Sequence, residues 1–416
     1  MTVYLNYING RWIEPRSGRY VDNINPATGE VLGRAAVGTE EDVAEAVAAA
    51  KAAFAKWRKV PAPRRGEILY RAGELLRQRK EELARKMTQE MGKVLPEARG
   101  DVQEGIDMAY YMAGEGRRLL GHTTPAEMPD KFAMAVREPI GVVAAITPWN
   151  FPLAIPTWKI MPALVAGNTV VFKPATDTPW LAYELVKIFE EAGLPPGVLN
   201  LVYGPGDTVG EALLRHPDVH LISFTGSVES GKHVNAVAGA QLKRVHLELG
   251  GKNAVIVMDD ADLDLVEQAV IWSAFGTTGQ RCTATSRLLV HEAVYDEVVE
   301  RLAARASRLR LGNGLEPTTD VGPLINARAV EKVAYYVNVG RQEGARLVVG
   351  GQPATEGELA RGFFFQPTIF ADVTPDMRIA NEEIFGPVLS VIKIRSLEEA
   401  IEINNSVQYG LSSSIF

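Results

Sequence analysis

Gly141-Val142-Val143-Ala144-Ala145-Ile146 is an unbroken apolar run, and Thr169-Val170-Val171-Phe172 repeats it after a helical stretch at Trp158–Ala166. Runs of this kind are what strands buried on both faces of a parallel sheet require. A helix over Trp180–Ala192 follows, stopped by Gly193 and Pro195-Pro196, and then Leu199–Tyr203 reads as the next strand. A helix near Val209–Arg215 leads to the strand Leu221–Phe224. Strand and helix alternate, so right-handed crossovers predict a doubly wound parallel sheet, and such sheets bind ligands at the carboxyl ends of their strands.

The pattern restarts near residue 250, with strands at Asn253–Met258 and Leu288–His291 and helices at Leu265–Phe275 and Ala293–Arg308. Upstream, Tyr4–Ile13 carries an Asn9-Gly10 turn between apolar residues, a hairpin signal. Thr39-Glu40-Glu41-Asp42 caps a helical run ending near Trp57, and helices are expected over about Arg64–Met91 and Val94–Leu120. The polar, Pro-containing stretch from His122 to Phe132 reads as an excursion from the core.

With 416 residues, two or three domains are expected, and a net charge of −7 with no basic field argues against a nucleic-acid partner. No uncharged apolar run is long enough for a membrane helix, and Met1–Asn6 lacks the features of a secretory signal. One cysteine, Cys282, rules out an internal disulfide or a thiolate-built metal site and fits a reducing cytoplasm. The six histidines are scattered, so no metal site is expected. The chain stops at Phe416 inside what reads as an apolar strand, and a C-terminal truncation is expected from that.

Three places can carry chemistry. Cys282 lies in Gly276-Thr277-Thr278-Gly279-Gln280-Arg281-Cys282-Thr283, where small residues open the backbone to a substrate and Arg281 can favour the thiolate, a good nucleophile for a carbonyl carbon. A buried structural thiol is the alternative. Glu248, between two leucines and before Gly250-Gly251, is expected to be buried, with a raised pKa suited to a general base for water. The alternative is an edge glutamate facing solvent. Asn150, in Thr147-Pro148-Trp149-Asn150-Phe151-Pro152 after the first strand of the series, can donate its amide to an oxyanion. Two glycine motifs compete for a dinucleotide phosphate. Phe224-Thr225-Gly226-Ser227 opens a helix and suits the phosphates, while Gly204-Pro205-Gly206 suits close approach to the nucleoside. Lys173-Pro174 places an ammonium at the same edge.

These blocks, together with Lys173-Pro174-Ala175, Glu248–Lys252, Gly279–Cys282 and Glu382–Pro387, resemble the aldehyde dehydrogenase superfamily in order and in the spacing of 34 residues from Glu248 to Cys282. The resemblance runs from Tyr7 to Phe416. It implies an α/β fold with a Rossmann-like cofactor domain (1–121 and 139–249), a small β oligomerisation arm (122–138) and a second α/β catalytic domain (250–416), and it places the missing C-terminal part beyond Phe416. It implies that Cys282 attacks an aldehyde, Asn150 and the Cys282 N–H hold the oxyanion, and Glu248 activates the water that hydrolyses the thioester. Cofactor contacts are implied for Trp149, Lys173, Thr176, Gly206, Phe224, Gly226, Ser227, Leu249, Glu383 and Phe385, with NAD or NADP as cofactor and no metal. Many NAD-preferring relatives have glutamate where this chain has Thr176, so NADP is expected to be tolerated. In some relatives the lysine corresponding to Lys159 relays protons. The stretch Gly114–Arg118 is similar to semialdehyde-oxidising members, in which case Arg117 or Arg118 can pair with a distal carboxylate; the alternative is that both face solvent. A homodimer or homotetramer in the cytoplasm is expected. A CoA-acylating dehydrogenase, or a non-catalytic member of the same fold, is the alternative.

Overall fold

Val142–Ile146 is buried at every position, as its composition demands, and it lies inside a seven-stranded sheet. The computed structural model describes residues 2–416, which divide into two compact units. The first unit comprises, among the described residues, 2–23, 31–86 and 99–248. Its sheet runs in the order Arg244–Glu248, Val219–Thr225, Val142–Ile146, Thr169–Lys173, Leu199–Leu201, Asn6–Ile8, Arg11–Ile13, with the first five strands mutually parallel and the last two antiparallel. The N-terminal hairpin turns at Asn9 (φ 51°) and Gly10 (φ 78°), the pair of left-handed residues that a tight two-residue hairpin turn needs.

Helices Glu40–Trp57, Ala154–Val165, Pro179–Glu191 and Val228–Gly239 belong to this unit. Thr39 and Asp42 form a reciprocal capping box at the first of them. The expected helix over 64–91 is two helices, Ala62–Gln78 and Lys80–Met91, broken at Arg79. The helix expected to reach Leu120 stops at Glu115. The excursion is an antiparallel hairpin, His122–Thr124 with Ala133–Ala135, a two-stranded sheet of its own.

The second unit comprises residues 24–30, 87–98 and 249–416. Its six-stranded sheet runs Arg346–Val349, Thr368–Ala371, Val388–Ile394, Thr285–His291, Asn253–Val257, Ser413–Ile415, parallel except for the antiparallel first pair. Sequence reading placed residues 24–30 and 87–98 in the first domain. They sit instead in this unit, because their backbones pack on its loops: Pro26 O accepts from Phe363 N–H, and a Cβ on Gly322 would lie 2.0 Å from Gly92 O.

No helix among the described residues is long and apolar enough to cross a membrane. Phe172, fully buried in a central strand, tests the packing of the first sheet. Phe172→Ala is expected to remove about 3–5 kcal/mol, read as a lower urea midpoint at an unchanged m-value.

Candidate active site

A parallel ladder puts the carboxyl ends of its strands on one edge, and the register here brings the predicted residues of the first unit to that edge. Ile146 pairs with Lys173 on one side and with Phe224 on the other, and Thr225 pairs with Glu248. The loops carrying Trp149 and Asn150, Lys173–Thr176, Gly226-Ser227 and the end of the Glu248 strand therefore leave the sheet together.

Asn150 is 3% exposed. The helix that follows it begins at Ala154, where Leu153 has no side-chain cap to offer, and the buried carboxylate of Asp101 accepts the Ala154 N–H at 2.8 Å instead. That bond anchors the start of the helix just beyond the Asn150 loop. Sequence reading missed Asp101, because a cap supplied from a distant helix leaves no local signature.

Lys173 is buried, and its Nζ donates to Pro174 O at 3.1 Å. Burial lowers its pKa to about 8, against the pull of Asp177 and Asp207. Thr176 is exposed, as is Gly206, where a Cβ would find no atom within 4 Å. Phe224 is buried, and a Cβ on Gly226 would lie 2.5 Å from its ring, so only glycine fits. Ser227 caps the twelve-residue helix Val228–Gly239, its Oγ accepting the Ser230 N–H at 3.2 Å. A dinucleotide fits this edge: the N-terminus of a helix offers N–H groups to a phosphate, and the space over Gly206 is open to a nucleoside.

Lys159 donates from Nζ to Ser223 Oγ at 3.3 Å, and burial brings its pKa down to about 8 against the attraction of Glu248. Glu248 itself departs from expectation. Its side chain is 53% exposed, with His246 Nε2 3.6 Å from Oε1. The cause is its strand, Arg244–Glu248, which is the sheet's outermost and alternates exposed and half-buried residues. The flanking leucines mark that alternation and do not enclose the acid.

In the second unit, Cys282 is half-buried at the end of a constrained loop. Thr277 (φ 50°), Thr278 (φ 58°) and Gly279 (φ 68°) are three consecutive left-handed residues, an arrangement β-branched side chains resist. Side chains hold the loop in place. The Thr277 N–H donates to both carboxylate oxygens of Glu97 at 2.9 Å, Thr278 Oγ1 donates to Gly322 O at 2.9 Å, and Gln280 Oε1 accepts the Ile325 N–H at 2.9 Å. Asn253 Nδ2 donates to the carbonyl of Cys282 itself at 2.7 Å. Arg281 does not serve the sulfur alone. Its guanidinium donates to Trp272 O at 2.7 Å and Ser273 O at 3.1 Å and lies 4.2 Å over the Trp272 ring.

Glu383 Oε1 accepts the Gly251 N–H at 3.0 Å, and a Cβ on Gly250 would lie 2.3 Å from the same carboxylate. Burial raises the Glu383 pKa, opposed by that N–H and by Lys332 and Lys252. Phe385 follows with φ 61°. Leu249 opens the segment leading to Gly250 and is half-buried.

The aldehyde dehydrogenase family profile matches residues 12–416. This chain belongs to the aldehyde dehydrogenase family. It is 47% identical over 414 residues to an alpha-ketoglutaric semialdehyde dehydrogenase from Bacillus subtilis, covering 99% of this chain and 85% of that protein. Among solved structures it is similar to betaine aldehyde dehydrogenase from Staphylococcus aureus in complex with NAD+, with TM-score 0.98, 37% identity, and coverage of 99% and 82% of the two chains. It is also similar to an E. coli NADP-dependent enzyme, with TM-score 0.96, 39% identity, and coverage of 99% and 85%. The α/β fold with two mainly parallel sheets is that of the family. So is the reaction class, oxidation of an aldehyde to the acid.

A further buried lysine went unread in the sequence. Lys252 is 2% exposed, its Nζ has no hydrogen-bond partner among the described residues, and it faces a cavity of about 460 Å³ shared with Arg287, Asn404, Asn405 and Tyr409. Burial, then the charge of Arg287, lowers its pKa from 10.5 to about 7, against Glu383 and Glu382. The unfolded chain therefore binds more protons than the folded one between about pH 7 and 10.5, so stability rises with pH across that window. Lys252→Met is expected to raise the urea midpoint near pH 7 and to flatten its rise toward about pH 9.5; a rise as steep as the parent's would clear Lys252 as its source.

Proposed function

We propose that this aldehyde dehydrogenase oxidises a small semialdehyde to the dicarboxylate through a covalent intermediate on Cys282, with NAD or NADP and water as co-substrates. The observation that carries the reading is the half-buried sulfur of the sole cysteine, set at the end of a loop whose strained course is held by named side chains.

Cys282 Sγ adds to the aldehyde carbon, and the oxygen becomes an oxyanion held by the Asn150 amide and the Cys282 N–H. The dinucleotide supplies the hydride acceptor. The residues that would hold it are Lys173, Thr176 and Gly206 at the adenosine, the Phe224–Ser227 turn at the pyrophosphate, and Glu383, Phe385, Leu249 and Trp149 at the nicotinamide end. Loss of hydride from the tetrahedral carbon leaves a thioester on Cys282. Glu248 takes a proton from water, which attacks the thioester and releases the acid and the thiolate. Its solvent-facing position suits a base that must hand its proton onward to water.

Semialdehyde specificity is supported by the similarity to the alpha-ketoglutaric semialdehyde enzyme. Arg117 and Arg118 are both exposed, and Arg118 is tied to Glu115 at 2.8 Å, so neither arginine carries the pairing with a distal carboxylate, and the semialdehyde reading rests on the similarity alone. The exposed hairpin presents Phe132 (74% exposed), Met134 and Val136, an apolar set that suits burial against another copy in a homodimer or homotetramer. A cytoplasmic location follows from the reduced thiol that the chemistry needs.

Cys282→Ser is expected to abolish dinucleotide reduction. Glu248→Gln is expected to keep a single-turnover burst while steady-state turnover falls about a hundredfold or more. A Cys282→Ser enzyme reducing dinucleotide at the parental rate refutes the covalent mechanism. The absence of a carboxylate at Thr176 removes one repulsion against a 2′-phosphate, but Asp177 and Asp207 still act on Lys173. NAD is therefore expected to lead NADP in kcat/KM by less than about a hundredfold, or ~2.7 kcal/mol, and Asp207→Asn should narrow the gap.

A further inference from the structure

We infer that Glu97 is a positioning residue for the nucleophile: its carboxylate holds Thr277 in the left-handed conformation from which the loop runs to Cys282. The inference rests on the reading of Cys282 as the nucleophile.

Thr277 and Thr278 occupy a backbone region that side chains branched at Cβ avoid, so an external interaction must hold them there. Thr277 is 4% exposed, which denies its N–H a water partner. Glu97 supplies the acceptor with both oxygens, each 2.9 Å from that nitrogen, and takes the Thr277 hydroxyl as well at 3.2 Å. A carboxylate accepting from a buried N–H makes a charge-assisted bond, stronger than a neutral one. On the other side of the same residue, Thr277 O accepts from Gln280 N at 3.0 Å and from Gln280 Nε2 at 3.2 Å. Both ends of Thr277 are thus fixed, five residues before the sulfur.

The fit is close. A Cβ on Gly276 would lie 2.8 Å from Glu97 Oε1, so the carboxylate lies directly on the loop backbone. Glu97 also faces the Arg281 guanidinium, the charge adjacent in sequence to Cys282. It stands in the first turn of the helix Leu95–Glu115, an end where the helix dipole favours an acid. Glu97 touches no reacting atom in this account and acts only through the loop.

Because the chain has one cysteine, iodoacetamide alkylation reads Cys282 directly, whatever the catalytic outcome. Glu97→Ala is expected to lower kcat about tenfold or more, with KM for NAD within about twofold of the parent, and to shift the alkylation rate about threefold or more. Glu97→Gln, which keeps an acceptor for the N–H, should lie within about threefold of the parent. Glycine adopts positive φ unaided, so Glu97→Ala combined with Thr277→Gly should recover kcat to within about threefold. A Glu97→Ala enzyme with parental kcat and alkylation rate overturns the inference. So does a loss that Thr277→Gly fails to recover, since a general structural role would give that result. An active Cys282→Ser enzyme would instead sink the covalent reading beneath it.

Discussion

Parallel pairing is the constraint on which everything else in the first unit rests. Each strand of a parallel sheet must be regained by a crossover, so every carboxyl end faces the same way and every following loop starts from one edge. The ladder from Val142–Ile146 to Thr169–Lys173 and Val219–Thr225 therefore does more than bury Val, Ala and Phe side chains. It gathers an amide, an ammonium, a helix N-terminus and a carboxylate that are up to about a hundred residues apart in the chain. The second unit repeats the device with its own parallel strands, and the loop that carries Cys282 leads into Thr285–His291 at the amino end of that strand.

The interior charges have a cost and a use. Lys159, Lys173 and Lys252 are each taken out of water with few or no direct anionic partners, and each titrates well below an exposed lysine. Such groups destabilise the fold near neutrality, and they concentrate where a polar ligand or a proton must be handled. Two of the three sit at the sheet edge already described, beside Ser223 and Pro174.

Much of this was readable in the chain. Apolar runs gave the strands, and the Thr39 cap, the Asn9-Gly10 turn and the blocks around Asn150, Glu248 and Cys282 stood out because each breaks a local pattern. What escaped reading depends on distant partners. Glu248 seemed enclosed by Leu247 and Leu249, but strand alternation on an outer edge sends the acid outward. Residues 24–30 and 87–98 read as part of the first domain, since nothing local reveals that Pro26 and Gly92 pack on loops near residues 322 and 363. Glu97 and Asp101 looked like ordinary acids on a helix. Their tasks, at Thr277 and Ala154, lie 180 and 53 residues away.

The borrowed segments bear on how the protein could be dissected. The second unit is assembled from three separate stretches of chain, one of them starting before residue 30. Residues 249–416 expressed in isolation would lack Glu97 and Gly92, leaving a buried amide bare and a seam open at Gly322. The lobe that carries the thiol is thus not a portable module. During synthesis the two early segments must wait for polypeptide made long after them before the unit can close, a long-range dependence that slows folding.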